Sequence, residues 1–250
     1  MGNSSDDRVA LVTGAGQRIG AAIARELHRA GCRVLVHYRS SAAGAEQLVR
    51  ELNALRPDSC AAVQADLCRP DEVRELAAKA AALASGLDLL VNNASAFYAT
   101  PLGSVSDAQW NELFDANVKG AFFLSQALAP ALVRKQGAIV NIIDVHAEIP
   151  LPQHTVYTMA KAGLAMMTRA LAVELGPSVR VNGIAPGAIL WPEQSNAVLG
   201  AAHADALLAQ TALKRMGTPE DIAGATRFLG LEAPYVTGQI LAVDGGRNLY

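Results

Sequence analysis

The amino-acid sequence predicts a doubly wound α/β fold, in which a parallel sheet carries helices on both faces. Apolar runs of about four to six residues alternate with longer amphipathic stretches along all 250 residues. Runs of this length, bounded by polar residues or glycine, are typical of strands that are buried on both faces. Strands that alternate with helices form βαβ units, and right-handed crossovers then give a parallel sheet. No linker, repeat or low-complexity tract interrupts the pattern, so we predict a single domain over residues 1–250.

Seven of the apolar runs are predicted to be strands, and six of the amphipathic stretches are predicted to be helices. In chain order the strands are 8–12, 33–37, 61–64, 87–91, 138–143, 179–184 and 239–243, and the helices are 19–30, 43–55, 71–83, 107–134, 155–175 and 219–229. Residues 185–210 break this rhythm with prolines, glycines and a tryptophan. We expect the cofactor half in residues 1–150 and a substrate loop at 185–210.

Composition and charge exclude several classes of protein. Apolar residues make up 51% and charged residues 18%, with a net charge of -2, which excludes intrinsic disorder and argues against charge-driven binding of nucleic acid. The three cysteines lack C-x-x-C spacing, so neither a disulfide framework nor a metal site is expected. The first ten residues do not resemble a signal peptide, and no run reaches the ~18 apolar residues of a membrane span. We therefore expect a cytoplasmic protein without a membrane partner.

A glycine-rich turn follows the first predicted strand. Gly14, Gly16 and Gly20 lie between this strand and the first helix. Glycine lets the backbone turn tightly beside a pyrophosphate, and the N-terminus of a helix attracts phosphate groups. At the start of a βαβ pattern this turn predicts a dinucleotide site, although an ordinary tight turn is the alternative interpretation.

The end of the second strand distinguishes between the two nicotinamide cofactors. Proteins that bind NAD usually place an acidic residue there, about 20 residues after the glycines. This chain has His37, Tyr38, Arg39 and Ser40 instead. An arginine and a hydroxyl would hold a 2′-phosphate that a carboxylate would repel. NADPH is therefore predicted, unless Arg39 is only a solvated surface charge.

Polar residues also follow the third and fourth strands. Asp66 and Leu67 come after the third strand, where an aspartate can accept a hydrogen bond from the adenine amino group. Asn93 and Ala94 follow Asn92 at the fourth strand, and the asparagine amides are expected to brace the cofactor pocket.

Tyr157 and Lys161 are four residues apart on a predicted helix and therefore share one face of it. A phenol has an ordinary pKa near 10, and we expect the neighbouring ammonium group and an oxidised nicotinamide to lower the pKa of Tyr157. The pair by itself occurs by chance on many helices. The Tyr157/Lys161 pair indicates a catalytic site only in combination with the other motifs of the chain.

Taken together, these motifs resemble the short-chain dehydrogenase/reductase family. The marks are the turn from Thr13 to Gly20, the Asn92-Asn93-Ala94 run, Asn117, the Tyr157/Lys161 pair, and Pro186-Gly187, and they span essentially the whole chain. The resemblance implies a seven-stranded Rossmann fold, a nicotinamide cofactor, Tyr157 as proton donor and Asn117 holding a water in a proton relay. The expected cofactor contacts are Gly14, Arg18, Ile19, Gly20, His37, Tyr38, Arg39, Ser40, Asp66, Leu67, Asn93, Ala94, Tyr157, Lys161, Pro186 and Gly187.

The chain departs from the usual family pattern at two positions. Arg18 replaces the middle glycine of the turn, and Asp144 replaces the serine that normally stands thirteen residues before the tyrosine. An ionised aspartate would repel a developing oxyanion, which argues against ordinary ketone reduction. A carboxyl group suits a C=N bond better, because hydride adds to carbon while nitrogen needs a proton, which a carboxyl group with a pKa raised by burial could supply unless it only hydrogen-bonds ring nitrogens. The sequence leaves open whether Asp144 or Tyr157 delivers this proton. The alternative is a degraded site that merely tolerates Asp144.

Both departures are similar to the pteridine reductase branch of this family. The branch resemblance also covers the run from His37 to Ser40 and the Ser95-Ala96-Phe97 segment after the fourth strand. It implies that Phe97 stacks on a pterin and that Arg18 contacts both the cofactor phosphate and the pterin, whereas Phe97 as a core aromatic is the alternative. The expected substrate contacts are Arg18, Ser95, Phe97, Asp144 and Tyr157, and the expected catalytic residues are Asp144, Tyr157, Lys161 and Asn117.

The sequence thus predicts an NADPH-dependent reductase of dihydropterins such as dihydrobiopterin or dihydromonapterin, and of dihydrofolate as a further candidate. The resemblance implies a homotetramer formed through the two long central helices. Two alternatives remain: a carbonyl reductase for 3-oxoacyl or sugar-like substrates, and a nucleotide-sensing protein without turnover. His146, Glu148 and Trp191 are expected near the substrate mouth, but the sequence assigns them no role.

Overall fold

The computed structural model describes residues 8–82, 86–189 and 208–249, and these residues form a seven-stranded parallel sheet with helices on both faces. The strands are β1 (Val9–Val12), β2 (Arg33–Tyr38), β3 (Cys60–Gln64), β4 (Leu89–Asn92), β5 (Ala138–Ile142), β6 (Arg180–Pro186) and β7 (Ile240–Val243). Their order in the sheet is β3-β2-β1-β4-β5-β6-β7, and every neighbouring pair is parallel. The predicted fold class is therefore confirmed.

The helices occur where the amphipathic stretches predict them. They are α1 (Arg18–Arg29), α2 (Ala42–Leu55), α3 (Pro70–Ala82), α4 (Asp107–Phe114), α5 (Gly120–Lys135), α6 (Thr155–Leu175) and α7 (Pro219–Arg227). The predicted helix 107–134 is in fact two helices joined by a π-helical turn, Asp115–Lys119, that the periodicity did not reveal. Within the described part of the chain, no helix is long and apolar enough to cross a membrane.

The two faces of the sheet build two hydrophobic cores. Leu11 and Leu90 point into one core, which helices α3, α5 and α6 complete. Val12 and Val91, their immediate neighbours in sequence, point into the other core with α1, α2 and α7. This alternation explains why each strand is apolar throughout, because both of its faces are covered.

The order of the strands reverses between β1 and β4. In open α/β sheets the crevice at such a switch point, outside the carboxyl ends of the strands, is where ligands bind. Here it brings together Gly14 after β1, Asn93 after β4 and Asp144 after β5. These three residues therefore follow strand ends along one edge of the sheet.

Candidate active site

In the turn after β1 the backbone lies so close to its neighbours that two positions, Gly14 and Gly20, leave little or no room for a Cβ. Gly14 adopts φ +61°, and a Cβ on it would come within 3.0 Å of the Ala94 Cα. A Cβ on Gly20 would collide with the carbonyl oxygen of Gly14, so α1 begins in close contact with the turn. Arg18 stands in the left-handed region at φ +53°, the region that glycine adopts without strain. The missing family glycine is thus replaced by a residue that holds a glycine-like backbone conformation.

His37 supports this turn through hydrogen bonds at both of its ring nitrogens. Its Nδ1 accepts a hydrogen bond from the Gly14 N–H at 3.1 Å, and its Nε2 lies 3.0 Å from the carbonyl oxygen of Ala65. Nε2 must therefore carry the proton, since a carbonyl can only accept. Burial lowers the pKa of His37 to about 4, so the ring is neutral at physiological pH. Both ring nitrogens bind protein, which leaves the predicted contact between His37 and the cofactor as a prediction.

Thr13 and Asn93 tie the turn to the end of β4. Asn93 Nδ2 donates to the carbonyl oxygens of Thr13 and Gly14 at 2.8 and 3.1 Å. Thr13 Oγ1 accepts from the backbone N–H groups of Asn93 and Ala94 at 2.9 and 3.0 Å. Asn93 therefore supports the turn itself, and its expected role beside a bound cofactor stays a prediction.

These features fit a dinucleotide. Gln17, which caps the N-terminus of α1, makes no side-chain capping bond, so it leaves the first-turn N–H groups to another acceptor. Arg18, Arg39 and Ser40 are exposed near the two strand ends, and neither arginine pairs with a carboxylate among the described residues. A glycine cradle, a helix N-terminus and unpaired guanidinium groups are the donors that phosphates require.

The remaining predicted cofactor residues follow other strand ends. Asp66 Oδ1 accepts from the Cys68 N–H at 3.0 Å, which fixes the carboxylate after β3 beside the buried Leu67. Gly187 follows Pro186 at the end of β6, and its N–H donates to Val243 at 3.1 Å. Contacts of these residues with a cofactor stay predictions, as do those of Ile19 and Tyr38.

Tyr157 and Lys161 lie on the buried face of α6, as their spacing predicts. Tyr157 is only 4% exposed, and its Oη donates to Asp144 Oδ2 at 2.6 Å. Lys161 Nζ is buried as well, donates to the carbonyl oxygen of Ile142 at 3.0 Å and lies 5.8 Å from the centre of the Tyr157 ring. The tyrosine, the lysine and the aspartate therefore form one cluster.

Asp144 is held in place by the short 3-10 helix Val145–Ala147, which it caps. Its Oδ1 accepts from the His146 N–H at 2.8 Å, while Oδ2 receives the Tyr157 hydroxyl. The His146 ring is held by a hydrogen bond of its own, from Nδ1 to the carbonyl oxygen of Ile149 at 2.9 Å. Sequence reasoning missed this capping contact, although Asp is a common residue at the start of such turns.

The pKa values of the cluster differ from the expectation. Burial, the charge of Asp144 and the hydrogen bond to it raise the pKa of Tyr157 well above its ordinary value, although a hydrogen bond with Ser95 acts in the opposite direction. We expected Lys161 and an oxidised nicotinamide to lower it; burial of the phenol is the main cause of the difference, and the charge of Asp144, where the family has an uncharged serine, adds to it. Burial lowers the pKa of Lys161 to about 8, opposed by the charge of Asp144.

Asn117 lies in the π-helical turn between α4 and α5 and is completely buried. Its Nδ2 donates to the carbonyl oxygens of Ala96 and Leu113, both at 2.9 Å, and its Oδ1 accepts from the Ser95 hydroxyl at 2.7 Å. π-Helical turns are frequent at functional sites. This side chain holds the segment after β4 in place, and the water relay that the resemblance implies stays a prediction.

Phe97 stands at the open side of the cluster and is 53% exposed. Its ring meets Tyr157 edge-on, with ring centres 4.8 Å apart and planes at 81°, and lies parallel to His154 at 4.7 Å and 12°. The alternative of a core aromatic is therefore wrong. Sequence reasoning did not select His154, since nothing in its spacing indicates a ring partner.

Trp191 and Glu148 were both expected near the substrate mouth. Trp191 and most of the predicted substrate loop 185–210 lie outside the described residues. Glu148 ends the short 3-10 helix after Asp144, and its N–H donates to the carbonyl oxygen of Val145 at 3.1 Å.

Comparisons with known proteins agree with this geometry at the level of a family. The family model described as enoyl-(acyl carrier protein) reductase matches residues 14–248. Pteridine reductase 1 of Leishmania tarentolae is 35% identical over 289 residues, covering 100% of this chain and 99% of that protein. The 3-oxoacyl-[acyl-carrier-protein] reductase FabG of Staphylococcus epidermidis (strain ATCC 35984) is 36% identical over 243 residues, covering 96% and 98%.

A solved structure is similar over nearly the whole chain. The blue fluorescent protein from a metagenomic library, in complex with NADPH, has a TM-score of 0.87 and 35% identity, covering 96% of this chain and 97% of that one. The two relatives above carry different substrate names at nearly equal identity. The choice between substrates therefore depends on the residues of the site.

Proposed function

Because the chain belongs to the short-chain dehydrogenase/reductase family, whose members are oxidoreductases that use NAD or NADP, we propose that it is an NADPH-dependent reductase of pteridines. The substrates in this proposal are dihydropterins such as dihydrobiopterin or dihydromonapterin, with dihydrofolate as a further candidate. The observation that carries the proposal is the hydrogen bond between Asp144 and Tyr157 at 2.6 Å.

Asp144 favours a C=N bond over a ketone as the reacting group. A ketone develops negative charge on oxygen during reduction, and a carboxylate beside that oxygen would raise the barrier. A C=N nitrogen instead takes up a proton, and a carboxylate can orient neighbouring N–H groups of a heterocycle without such repulsion. The exposed ring of Phe97 offers a surface on which a flat heterocycle can stack.

The residues of the cluster have separate tasks in this reaction. NADPH, when bound, supplies the hydride that adds to carbon. Both oxygens of Asp144 accept hydrogen bonds, so the proton for nitrogen lies on Tyr157 Oη. Lys161 places a positive charge near the Tyr157 ring and stabilises the phenolate that remains after the transfer. Ser95 and Asn117 keep the segment that carries Phe97 next to this group.

The preference for NADPH is supported by the charges at the end of β2. Arg39 and Ser40 are exposed there, and no carboxylate stands at the position where NAD-binding proteins usually have one. Arg18 adds a second exposed guanidinium group at the start of α1. A 2′-phosphate would find charge-assisted partners at these groups.

A carbonyl reductase for 3-oxoacyl substrates is the second candidate. The similarity to FabG of Staphylococcus epidermidis at 36% identity favours it, and Asp144 argues against it. The two candidates predict opposite effects of Asp144→Ser. This variant should lose pterin turnover if the pteridine proposal holds, and it should gain ketone turnover if the site then follows the usual family pattern.

The decisive experiment follows the loss of NADPH absorbance with dihydrobiopterin, dihydromonapterin, dihydrofolate, biopterin and a 3-oxoacyl thioester, with NADH in place of NADPH as control. Turnover of a dihydropterin with a strong preference for NADPH supports the proposal. Turnover of the thioester alone overturns it in favour of the carbonyl reductase. Binding of NADPH without turnover of any substrate favours a sensor.

We also propose that the chain forms a homotetramer and works in the cytoplasm. Apolar side chains are exposed along α5 and α6, among them Phe123, Met166 and Val173, which is a surface typical of subunit contacts. All three cysteines are free thiols, as is usual in reducing compartments. Light scattering after size-exclusion chromatography tests the tetramer, and a monomer at micromolar concentration would contradict it.

A further inference from the structure

Phe97 is held by a second ring that the sequence did not indicate. The His154 ring lies parallel to Phe97, with ring centres 4.7 Å apart and planes 12° from each other. This parallel arrangement is an attractive geometry for aromatic rings. Phe97 nevertheless remains 53% exposed, so a large part of its ring is still open to a ligand.

The orientation of the His154 ring is fixed by its own hydrogen bond. His154 Nδ1 lies 2.8 Å from the carbonyl oxygen of Pro152, so Nδ1 carries the proton and donates. The backbone is fixed as well, because the His154 N–H donates to Leu151 at 3.1 Å and its carbonyl accepts from Thr158 in the first turn of α6 at 2.9 Å. His154 is therefore a rigid platform at the start of the helix that carries Tyr157.

The segment around Phe97 is anchored on both sides, but the phenyl ring itself can form no hydrogen bond. Ala96 accepts from Asn117 at 2.9 Å, and the Tyr98 hydroxyl donates to Glu112 on α4 at 3.0 Å. The Thr100 N–H donates to the carbonyl oxygen of Gln153 at 2.6 Å, which joins this segment to the loop before α6. Ring contacts with His154 and Tyr157 therefore determine how the Phe97 ring is turned.

We propose that His154 is a positioning residue for substrate recognition, which acts by holding the Phe97 ring in the orientation that a flat heteroaromatic substrate requires. This role rests on the proposed function, because only a planar substrate benefits from an oriented ring. It predicts that removal of the His154 ring weakens binding of the heterocycle and leaves binding of NADPH unchanged.

A pair of matched variants separates the ring of His154 from its hydrogen bond. His154→Phe keeps a ring against Phe97 and loses the donor to Pro152, whereas His154→Asn keeps a donor near the position of Nδ1 and loses the ring. We expect the KM for dihydropterin to rise about threefold to tenfold in His154→Asn, as the energy of an aromatic pair implies, and to stay within about twofold of the original enzyme in His154→Phe. The KM for NADPH should not change in either variant.

A double-mutant cycle tests whether His154 acts through Phe97. In the Phe97→Ala background, His154→Asn should cause no further rise in KM, since the ring that it positions is gone. Calorimetric titration of biopterin into the enzyme saturated with NADP⁺ gives the same comparison without turnover. In that measurement His154→Asn should lower the affinity for biopterin by a similar factor. In His154→Phe the affinity should stay close to that of the unsubstituted protein.

The outcomes distinguish this inference from the proposed function. If the original enzyme reduces a dihydropterin but His154→Asn leaves its KM unchanged, the inference is wrong and the proposed function stands. If His154→Phe is impaired as much as His154→Asn, or if the effects of His154→Asn and Phe97→Ala are additive, His154 does not act by stacking on Phe97. If the original enzyme reduces no dihydropterin, the proposed function is overturned and this role falls with it.

Discussion

The Tyr157 hydroxyl donates a hydrogen bond to Asp144 Oδ2 at 2.6 Å, while Asp144 Oδ1 accepts one from the backbone N–H of His146 at 2.8 Å. An acceptor-only carboxylate next to the proton donor keeps that donor protonated, because a phenolate beside it would be repelled. Burial of the phenol, the charge of Asp144 and this hydrogen bond together raise the pKa of Tyr157 well above its ordinary value. The site thus retains its proton until another group, such as a substrate nitrogen, takes it up.

Replacing Asp144 by asparagine should lower the pKa of Tyr157 and impair turnover. The substitution removes the negative charge and the acceptor that together favour the neutral phenol. We expect kcat with a dihydropterin to fall about 100-fold or more, because the carboxylate that orients the N–H groups of the heterocycle beside Tyr157 is lost, and misplacement of a substrate has costs of this size. Ultraviolet titration of tyrosinate, compared between Asp144→Asn and Asp144→Asn/Tyr157→Phe, isolates the signal of Tyr157.

A control for this prediction is Asp107→Asn, at the exposed start of α4 and away from Tyr157. It should leave both the tyrosinate titration and kcat unchanged. A Tyr157 pKa that rises in Asp144→Asn would show that Asp144 does not stabilise the phenol, and the account of this pair would be wrong.

His37 should make the stability of the protein depend on pH below neutrality. Its pKa is about 4 in the folded chain, against an ordinary value of 6.5, so the unfolded chain binds more protons between these two pH values. The free energy of unfolding should therefore fall by about 3 kcal/mol for this group as pH decreases from 6.5 to 4. Urea denaturation of the original protein and of His37→Asn across this range measures the difference.

Protonation of His37 should also weaken cofactor binding. A second ring proton on Nδ1 would face the N–H of Gly14, so two donors would oppose each other at the turn. We expect the affinity for NADPH to fall in acid more steeply in the original protein than in His37→Asn. Equal pH dependence of the two proteins, in stability and in affinity, would mean that His37 does not brace the turn.

The sequence predicted the sheet and its helices because each strand is buried on both faces. Leu11 and Val12 serve opposite cores, so the apolar runs are continuous and their limits are visible in the sequence. The π-helical turn around Asn117 was not predicted, because the residues on both sides of it are helical and the whole stretch was taken as one continuous helix. That turn is what directs Asn117 toward Ser95 and Ala96.

The sequence allowed prediction of those site residues whose positions are set by a strand end or a helix face. It did not allow prediction of contacts between loops. Tyr157, Lys161 and Asp144 come together because a helix face and a strand end meet. The stack of His154 on Phe97 needs two loops to converge, and no spacing in a single sequence contains that information. The direction of the Tyr157 pKa shift was likewise beyond reach, since it depends on how deeply the phenol is buried and on its contact with Asp144.

Lys161 should make the protein more stable as pH rises above 8. Its pKa is about 8 in the folded chain and 10.5 ordinarily, so the unfolded chain binds more protons between these values. The free energy of unfolding should increase with pH there, by up to about 3 kcal/mol over the whole interval, relative to Lys161→Met. Thermal or urea unfolding at several pH values from 8 to 10 tests this, and parallel curves for the two proteins would contradict it.

Arg39 should determine the choice between NADPH and NADH. Its guanidinium group is exposed after β2 and pairs with no carboxylate among the described residues, so it is available to a 2′-phosphate. Loss of a hydrogen bond to a charged group costs about 1.5–3 kcal/mol, so Arg39→Ala should raise the KM for NADPH roughly tenfold to a hundredfold. The KM for NADH should stay the same, because NADH has no 2′-phosphate.

Arg50→Ala is the matched control for this substitution. Arg50 is an exposed arginine on α2 whose weak pairing with Glu46, at 3.9 Å, leaves its removal nearly neutral for stability. It should change neither KM, whereas Arg39→Glu should disfavour NADPH further by repulsion of the phosphate. If Arg39→Ala raises the KM values for NADPH and NADH by the same factor, Arg39 stabilises the fold of the site and does not bind the 2′-phosphate. The preference for NADPH must then come from another residue.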